Sequence, residues 1–138
     1  MPMTEGPERR RNTLLACLTL LRKLAPDITV SEMLAFLYVA ENGGIRVKEL
    51  SQLMMTTQAT ASRAARALVS EGDPGALPPS RGWLVMSSND RENISRHLYL
   101  TPLGADITGQ LDAVIGRAQP IRGQAGKTSV GFRALRAA

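Results

Sequence analysis

Residues 46–68 read RVKELSQLMMTTQATASRAARAL, and this stretch decides the fold around which the rest of the sequence is arranged. Its first part has apolar residues at helical spacing, which predicts a short helix with one inward face. These residues are Val47, Leu50, Leu53 and Met54. Its second part, from Thr57 to Leu68, predicts another helix that the Thr57 hydroxyl caps. Two short helices joined by a tight turn predict a helix-turn-helix.

The second of these helices has two different faces. Apolar side chains at positions 61, 64, 65 and 68 form the inward face, and alanine at the first three allows close helix packing. The outward face carries Gln58, Ala59, Thr60, Ser62, Arg63 and Arg66. Such polar groups can hydrogen-bond base edges or phosphates, and alanine can contact a thymine methyl group. The pattern favours a DNA-reading helix over the alternative, a polar surface helix of a helical bundle.

A β-hairpin is predicted after the helix-turn-helix. The segment 73–80, DPGALPPS, interrupts regular structure because it holds three prolines and a glycine. Residues 82–87 and 94–100 then read as two strands joined by a polar turn. Arg91 lies near the tip and Arg96 on the flank, where arginines can reach the minor groove or phosphates. A hairpin in this place is expected to be a wing; the alternative is a solvent-exposed hairpin without a DNA partner.

A broad apolar stripe runs along a helix predicted from about Glu8 to Leu24, which Pro26 ends. Together with the helix predicted after Thr101-Pro102, it is expected to form a dimer interface. The predicted interface residues are Leu14, Cys17, Leu18, Leu21, Ile107, Leu111, Val114 and Ile115. The alternative for the first stripe is simple core packing.

Between these elements, a further helix begins at a capping box formed by Thr29 and Glu32, in which each side chain accepts a hydrogen bond from the other's backbone N–H. It runs to about Glu41 and ends at the NGG sequence of residues 42–44. Residues 45–46 form a short extended piece that can pair with a strand of the hairpin.

The chain of 138 residues is long enough to bury a core without disulfides or metals. We expect a mainly α fold with a small β-hairpin (α+β). Its predicted parts are an N-terminal arm and dimerisation helix (1–26), a winged helix-turn-helix domain (27–103), a dimerisation helix (104–120) and a basic, flexible tail (121–138). The net charge of +5 comes entirely from the residues after position 116, because basic and acidic residues balance before it. That basic segment fits either a nucleic-acid partner or a solubilising end.

Other classes of function find no support in the sequence. No run approaches the roughly 20 apolar residues of a membrane span, and a single cysteine fits a reducing cytoplasm. Zinc needs three or four ligands, and His97 is the chain's one histidine. We therefore expect a cytoplasmic protein that is not an enzyme and has no metal, cofactor or membrane partner. Cys17 is interpreted as a buried small hydrophobe rather than an oxidation sensor.

The order of helix, helix, helix-turn-helix, hairpin and helix resembles the MarR family of prokaryotic winged helix-turn-helix transcriptional regulators. The similarity rests on VKELSQL at 47–53, TQATASR at 57–63, and the hairpin ending LTPLG at 100–104 after Arg91 and Arg96. It implies a homodimer that binds a pseudo-palindromic operator on double-stranded DNA, usually as a repressor. It also implies an effector, a small phenolic ligand or an oxidant of a cysteine, and a place at the nucleoid.

The predicted DNA-binding residues are Lys48, Thr57, Gln58, Ala59, Thr60, Ser62, Arg63, Arg66, Arg91 and Arg96. Arg63 is the first candidate for a base contact, with Arg66, Lys48 and Thr57 on phosphates. Arg91 is assigned to the groove beside the wing. The alternative is a winged-helix module for protein interaction, replication or DNA architecture, without operator specificity. A protein-docking face normally shows apolar or aromatic anchors, and the outward face of the second helix has none.

Overall fold

The computed structural model describes residues 7–88 and 96–117, which form five helices and three strands. In chain order these are α1 (Pro7–Leu24), α2 (Val30–Glu41), β1 (Ile45–Arg46), α3 (Val47–Met54), α4 (Gln58–Leu68), β2 (Leu84–Ser88), β3 (Arg96–Leu100) and α5 (Pro102–Arg117). The predicted α+β class is confirmed, as are all five predicted helices. The hairpin tip with Arg91, the end of the dimerisation helix predicted at residue 120 and the basic tail lie outside the described residues.

The three strands form one antiparallel sheet in the order β1-β3-β2. Ile45 of β1 lies opposite Leu98 of β3, and Leu84 of β2 lies opposite Leu100. The predicted pairing of residues 45–46 with the hairpin is therefore confirmed. Because β1 leads directly into α3, this pairing fixes the hairpin beside the helix-turn-helix.

A single hydrophobic core joins all five helices and the sheet. Phe36 of α2 meets Trp83 edge to face, with ring centroids 5.1 Å apart and ring planes at 68°. Leu21 of α1 and Ile107 and Leu111 of α5 belong to the same cluster of buried residues. The core thus passes across the predicted boundaries at residues 26 and 103, so the terminal helices fold with the winged helix.

The inward face of α3 differs in part from the prediction. Leu50 is fully buried, and Val47 and Met54 are partly buried, as expected. Leu53 is exposed, so its assignment to the inward face was wrong. Ser51 is buried in its place, because its hydroxyl donates to the carbonyl of Lys48 at 2.7 Å and so loses no hydrogen bond on burial.

The start of α2 shows half of the predicted capping box. The Thr29 hydroxyl accepts a hydrogen bond from the Glu32 N–H at 3.1 Å. The Glu32 carboxylate, expected to bond back to Thr29, accepts instead from the Arg81 guanidinium at 2.7 Å. The carboxylate-to-backbone bond that is missing at α2 is present at the start of α3, where the Glu49 carboxylate accepts a hydrogen bond from the Arg46 N–H at 2.9 Å.

The start of α5 is hydrogen-bonded to and packed against the residues that precede β2. The Thr101 hydroxyl donates to the carbonyl of Gly82 at 2.6 Å and accepts from the Gly104 N–H at 3.0 Å. Gly104 is buried so closely against the chain that a Cβ there would overlap the carbonyl oxygen of Trp83. Only glycine lets α5 dock at this depth.

Replacing Gly104 with alanine is expected to lower the free energy of unfolding by about 1–3 kcal/mol, because the backbone of residue 83 must shift. The matched control is Gly109→Ala in the same helix, where an added Cβ meets nothing within 4 Å. That control is expected to gain about 0.4–1 kcal/mol. Thermal unfolding followed by circular dichroism measures both variants, and a Gly104→Ala protein as stable as the parent would contradict the docking described here.

Candidate nucleic-acid interface

The two faces of α4 are arranged as the sequence predicts. Its inward residues at positions 61, 64, 65 and 68 are buried, and Ala67 is buried with them. On the other face Gln58, Ala59 and Arg63 are exposed, whereas Thr60 and Ser62 are half-buried. The helix therefore packs through small apolar side chains and presents short polar groups and an arginine to solvent.

The turn between α3 and α4 is tight and well capped. Met55 ends α3 in the left-handed conformation, with φ 56° and ψ 49°. Thr57 then caps α4, because its hydroxyl oxygen accepts from the Thr60 N–H at 3.1 Å. The same hydroxyl donates to the Thr60 hydroxyl at 3.0 Å. These bonds fix where the N-terminal turn of α4 begins.

An open groove lies between the start of α3, the outward side of α4 and the sheet. Its lining residues are Arg46, Val47, Lys48, Glu49, Gln58, Ala59, Ser62, Arg66, Met86 and Arg96. Four of these are cationic and one is acidic. The hydrogen bond from the Arg46 N–H holds the pKa of Glu49 below its usual range, so this carboxylate stays ionised and caps α3. The groove retains an excess of positive charge.

The two arginines at the back of this groove are less free than the sequence suggests. Arg66 is half-buried, and its Nε donates to the carbonyl of Gly75 at 2.8 Å. Arg96 is also half-buried, with Nη1 at 3.6 Å from the Met86 sulfur. Arg63 is exposed and makes no hydrogen bond to another described residue.

The groove brings together six of the predicted DNA-binding residues: Lys48, Gln58, Ala59, Ser62, Arg66 and Arg96. Thr57, Thr60 and Arg63 lie on the same helix or its cap but outside the groove lining. Arg46 was missed, although its place immediately before α3 was a usable signal. Met86 was missed because it reads as an ordinary strand residue.

The predicted dimer residues divide into three groups by burial. Leu21, Ile107 and Leu111 are buried in the protein's own core, so they are not available to a second copy in this conformation. Leu14, Leu18 and Ile115 are exposed, at 60%, 39% and 47%, and Leu15 is exposed at 46%. Cys17 and Val114 are half-buried. The exposed set, Leu14, Leu15, Leu18 and Ile115, is called the terminal-helix patch below.

The surroundings of Cys17 and His97 suit a structural role better than a chemical one. Burial raises the pKa of the Cys17 thiol, which lowers the thiolate fraction at neutral pH. His97 Nδ1 is hydrogen-bonded to the carbonyl of Gly44 at 2.9 Å, across the β1–β3 pair. Among the described residues, no group of His, Cys, Asp and Glu could hold a metal ion. In the same ranges, no helix is long and apolar enough to cross a membrane.

Solved structures with the same architecture include transcriptional regulators. The transcriptional regulator Tm0710 of Thermotoga maritima is 17% identical, with a TM-score of 0.56, covering 78% of this chain and 69% of the other. A MarR-family regulator of Silicibacter pomeroyi is 19% identical, with a TM-score of 0.53 and coverage of 99% and 84%. RV1404 of Mycobacterium tuberculosis is 14% identical, with a TM-score of 0.57 and coverage of 92% and 82%.

No family model matches the chain. No curated protein matches its sequence either. The likeness at this level of identity concerns the fold: the chain has the MarR-type winged helix-turn-helix fold, which confirms the resemblance found in the sequence.

Thr57→Ala tests the geometry at the start of α4. Loss of the hydroxyl leaves the Thr60 N–H without its acceptor, so we expect the free energy of unfolding to fall by about 1 kcal/mol. Thr57→Ser keeps the oxygen and is expected to lie close to the parent. Chemical denaturation measures both variants. Equal losses in the two would mean that the methyl group, rather than the cap, stabilises this turn.

Proposed function

We propose that this protein is a sequence-specific DNA-binding transcriptional regulator that binds a pseudo-palindromic operator as a homodimer and acts as a repressor. The observation that carries the proposal is the outward face of α4. It presents Gln58, Ala59 and Arg63 beside a groove with excess positive charge. Short polar groups on a firmly packed helix suit the major groove, which admits one α-helix.

In the proposed complex the N-terminal half of α4 enters the major groove. Arg63 is assigned to a base edge because it is exposed and has no hydrogen-bond partner among the described residues. Lys48 and Arg46, at the start of α3, are assigned to phosphates on one side of the groove. Phosphate contacts fix the register of the helix, and base contacts supply the sequence preference.

Arg66 and Arg96 are also assigned to phosphates, but with restricted freedom. Each already has one neighbour, the Gly75 carbonyl for Arg66 and the Met86 sulfur for Arg96. An arginine held in place loses less conformational entropy when it binds an anion than a free one does. In this proposal, their held positions raise the affinity for DNA without reading its sequence.

The homodimer is proposed from the terminal-helix patch. Its four exposed leucine and isoleucine side chains lie on two helices that pack together, and large exposed apolar patches mark interaction sites. A two-fold dimer through this patch would carry two copies of α4 to half-sites about one helical turn apart, roughly 34 Å. A small-molecule effector and a place at the prokaryotic nucleoid belong to the same proposal.

The proposal is tested by selecting bound sequences from a random duplex pool with the parent protein and with Arg63→Ala. The parent is expected to enrich an inverted repeat with half-sites about ten base pairs apart. Arg63→Ala is expected to lose about 1–3 kcal/mol on that repeat and to relax its preference at one position per half-site.

Arg22→Ala is the matched control, because it removes the same charge from an exposed position on α1. It is expected to keep the enriched repeat. Equal binding by Arg63→Ala and the parent would remove α4 from the reading role. Salt-sensitive binding without any enriched sequence would favour an architectural role, and absence of binding would favour protein docking.

The dimer is tested by placing charge in the terminal-helix patch. A Leu14→Glu/Leu18→Glu protein is expected to sediment as a monomer, because two carboxylates would have to be desolvated at the interface. Val30→Glu on α2, where the parent residue is 69% exposed, is the control and should remain dimeric. Analytical ultracentrifugation distinguishes these outcomes. A parent protein that sediments as a monomer would refute the dimer.

A further inference from the structure

The proline-rich segment 73–82 closes the C-terminal end of α4. The carbonyls of the last helical turn have no partner within a helix and need one from outside. Here the carbonyls of residues 66, 67 and 68 accept hydrogen bonds from the N–H groups of Leu77, Arg81 and Trp83, at 2.9, 3.0 and 2.9 Å. The segment has no regular structure of its own, yet its Leu77 and Arg81, with Trp83 directly after it, cap these three carbonyls of α4.

One residue of the segment ties this cap to α2. The Arg81 Nε donates to Glu32 at 2.7 Å, and Nη1 donates to Asp27 at 3.0 Å. The side chains of Arg81 and Glu32 are only 9% and 10% exposed. Burial disfavours the charged guanidinium, but the bonds to Glu32 and Asp27 outweigh it, so the pKa of Arg81 lies above its ordinary value.

The other end of the segment reaches the back of the candidate DNA groove. Gly75 is buried; its carbonyl accepts from Arg66, and its N–H donates to the Asp73 carboxylate at 2.8 Å. A Cβ at Gly75 would lie 2.9 Å from the Met86 sulfur and 3.2 Å from the Arg96 guanidinium. The segment therefore touches α4 and both long strands of the sheet.

We propose that segment 73–82 is a strut that holds Arg66 and Arg96 in their DNA-binding positions, and that Arg81 is the positioning residue that anchors the strut to α2. This inference rests on the proposed function, since it assigns both arginines to phosphates. Arg81 itself is buried away from the groove, so it acts on DNA through the strut.

Three prolines and the Arg81 ion pair together suit the segment to hold other residues in place. Proline fixes φ and lowers the entropy of the unfolded segment, so little ordering is needed to keep the strut in one shape. The ion pair between Arg81 and Glu32 then fixes the position of the strut relative to α2. Together they join the first helix of the winged domain to the back of the groove.

The test compares the parent with Arg81→Gln on the duplex selected from the random pool. We expect Arg81→Gln to bind about tenfold more weakly, with the loss varying with salt. We expect the loss of one or two phosphate contacts. Each lost contact should lower the slope of log Kd against log salt concentration by roughly 0.9. A buried residue with a purely structural role would leave the slope of the folded protein unchanged.

Two further proteins keep this test decisive. If Arg81→Gln does not fold, the double variant Glu32→Gln/Arg81→Gln replaces it. The second substitution removes the buried Glu32 carboxylate, which Arg81→Gln alone would leave without its cationic partner. In an Arg66→Ala/Arg96→Ala background, Arg81→Gln is expected to cause no additional loss of affinity, since the groups it positions are gone. Ile107→Val, a core change in α5, controls for general destabilisation and should keep the parent's salt slope.

Amide hydrogen exchange separates failure of the strut from failure of the proposed function. With the DNA-binding function in place, an unchanged salt slope in the folded Arg81→Gln protein overturns the strut. If the parent enriches no duplex, the proposed function fails, and the strut is judged by exchange at Leu77 and Trp83. Faster exchange there in Arg81→Gln, but not in Ile107→Val, supports the strut; unchanged exchange overturns it.

Discussion

The close packing of one face of α4 is the constraint on which the rest of the structure depends. Ala61 and Ala65 have no exposed surface, and such small side chains let α4 pack closely against α2 and α3. Burying that face directs Gln58 and Arg63 to solvent. It also places the last carbonyls of α4 where the segment before β2 must cap them. The outward chemistry of the helix is therefore a consequence of its inward packing.

Most of the fold could be predicted because its signals are local. Thr57 marks the start of α4 through a cap that spans three residues, and Thr101-Pro102 marks the start of α5 in the same way. The alternation of small apolar and polar residues in α4 identified both of its faces. Strand pairing between β1 and the hairpin followed from an extended dipeptide placed just before α3. Such signals need no knowledge of distant contacts.

The candidate site could be predicted only in part, because its back wall is built by contacts between distant residues. Arg81 and Glu32 are 49 residues apart, and no periodicity joins them. Without that contact, Glu32 reads as one half of a capping box. Leu21 likewise reads as an interface residue, because a helical stripe does not reveal which of its members the chain itself covers. Arg66 was identified correctly as part of the outward face, but its bond to Gly75 depends on the fold of a proline-rich segment.

The central claim is that α4 and the start of α3 meet DNA. Its most direct test is amide hydrogen exchange of the parent protein with and without the selected duplex. We expect protection on binding to concentrate in residues 46–49 and 57–63, with little change along the exposed side of α2. Protection of α2 without any at 57–63 would contradict DNA binding by α4 and place the nucleic acid, or another partner, on a different surface.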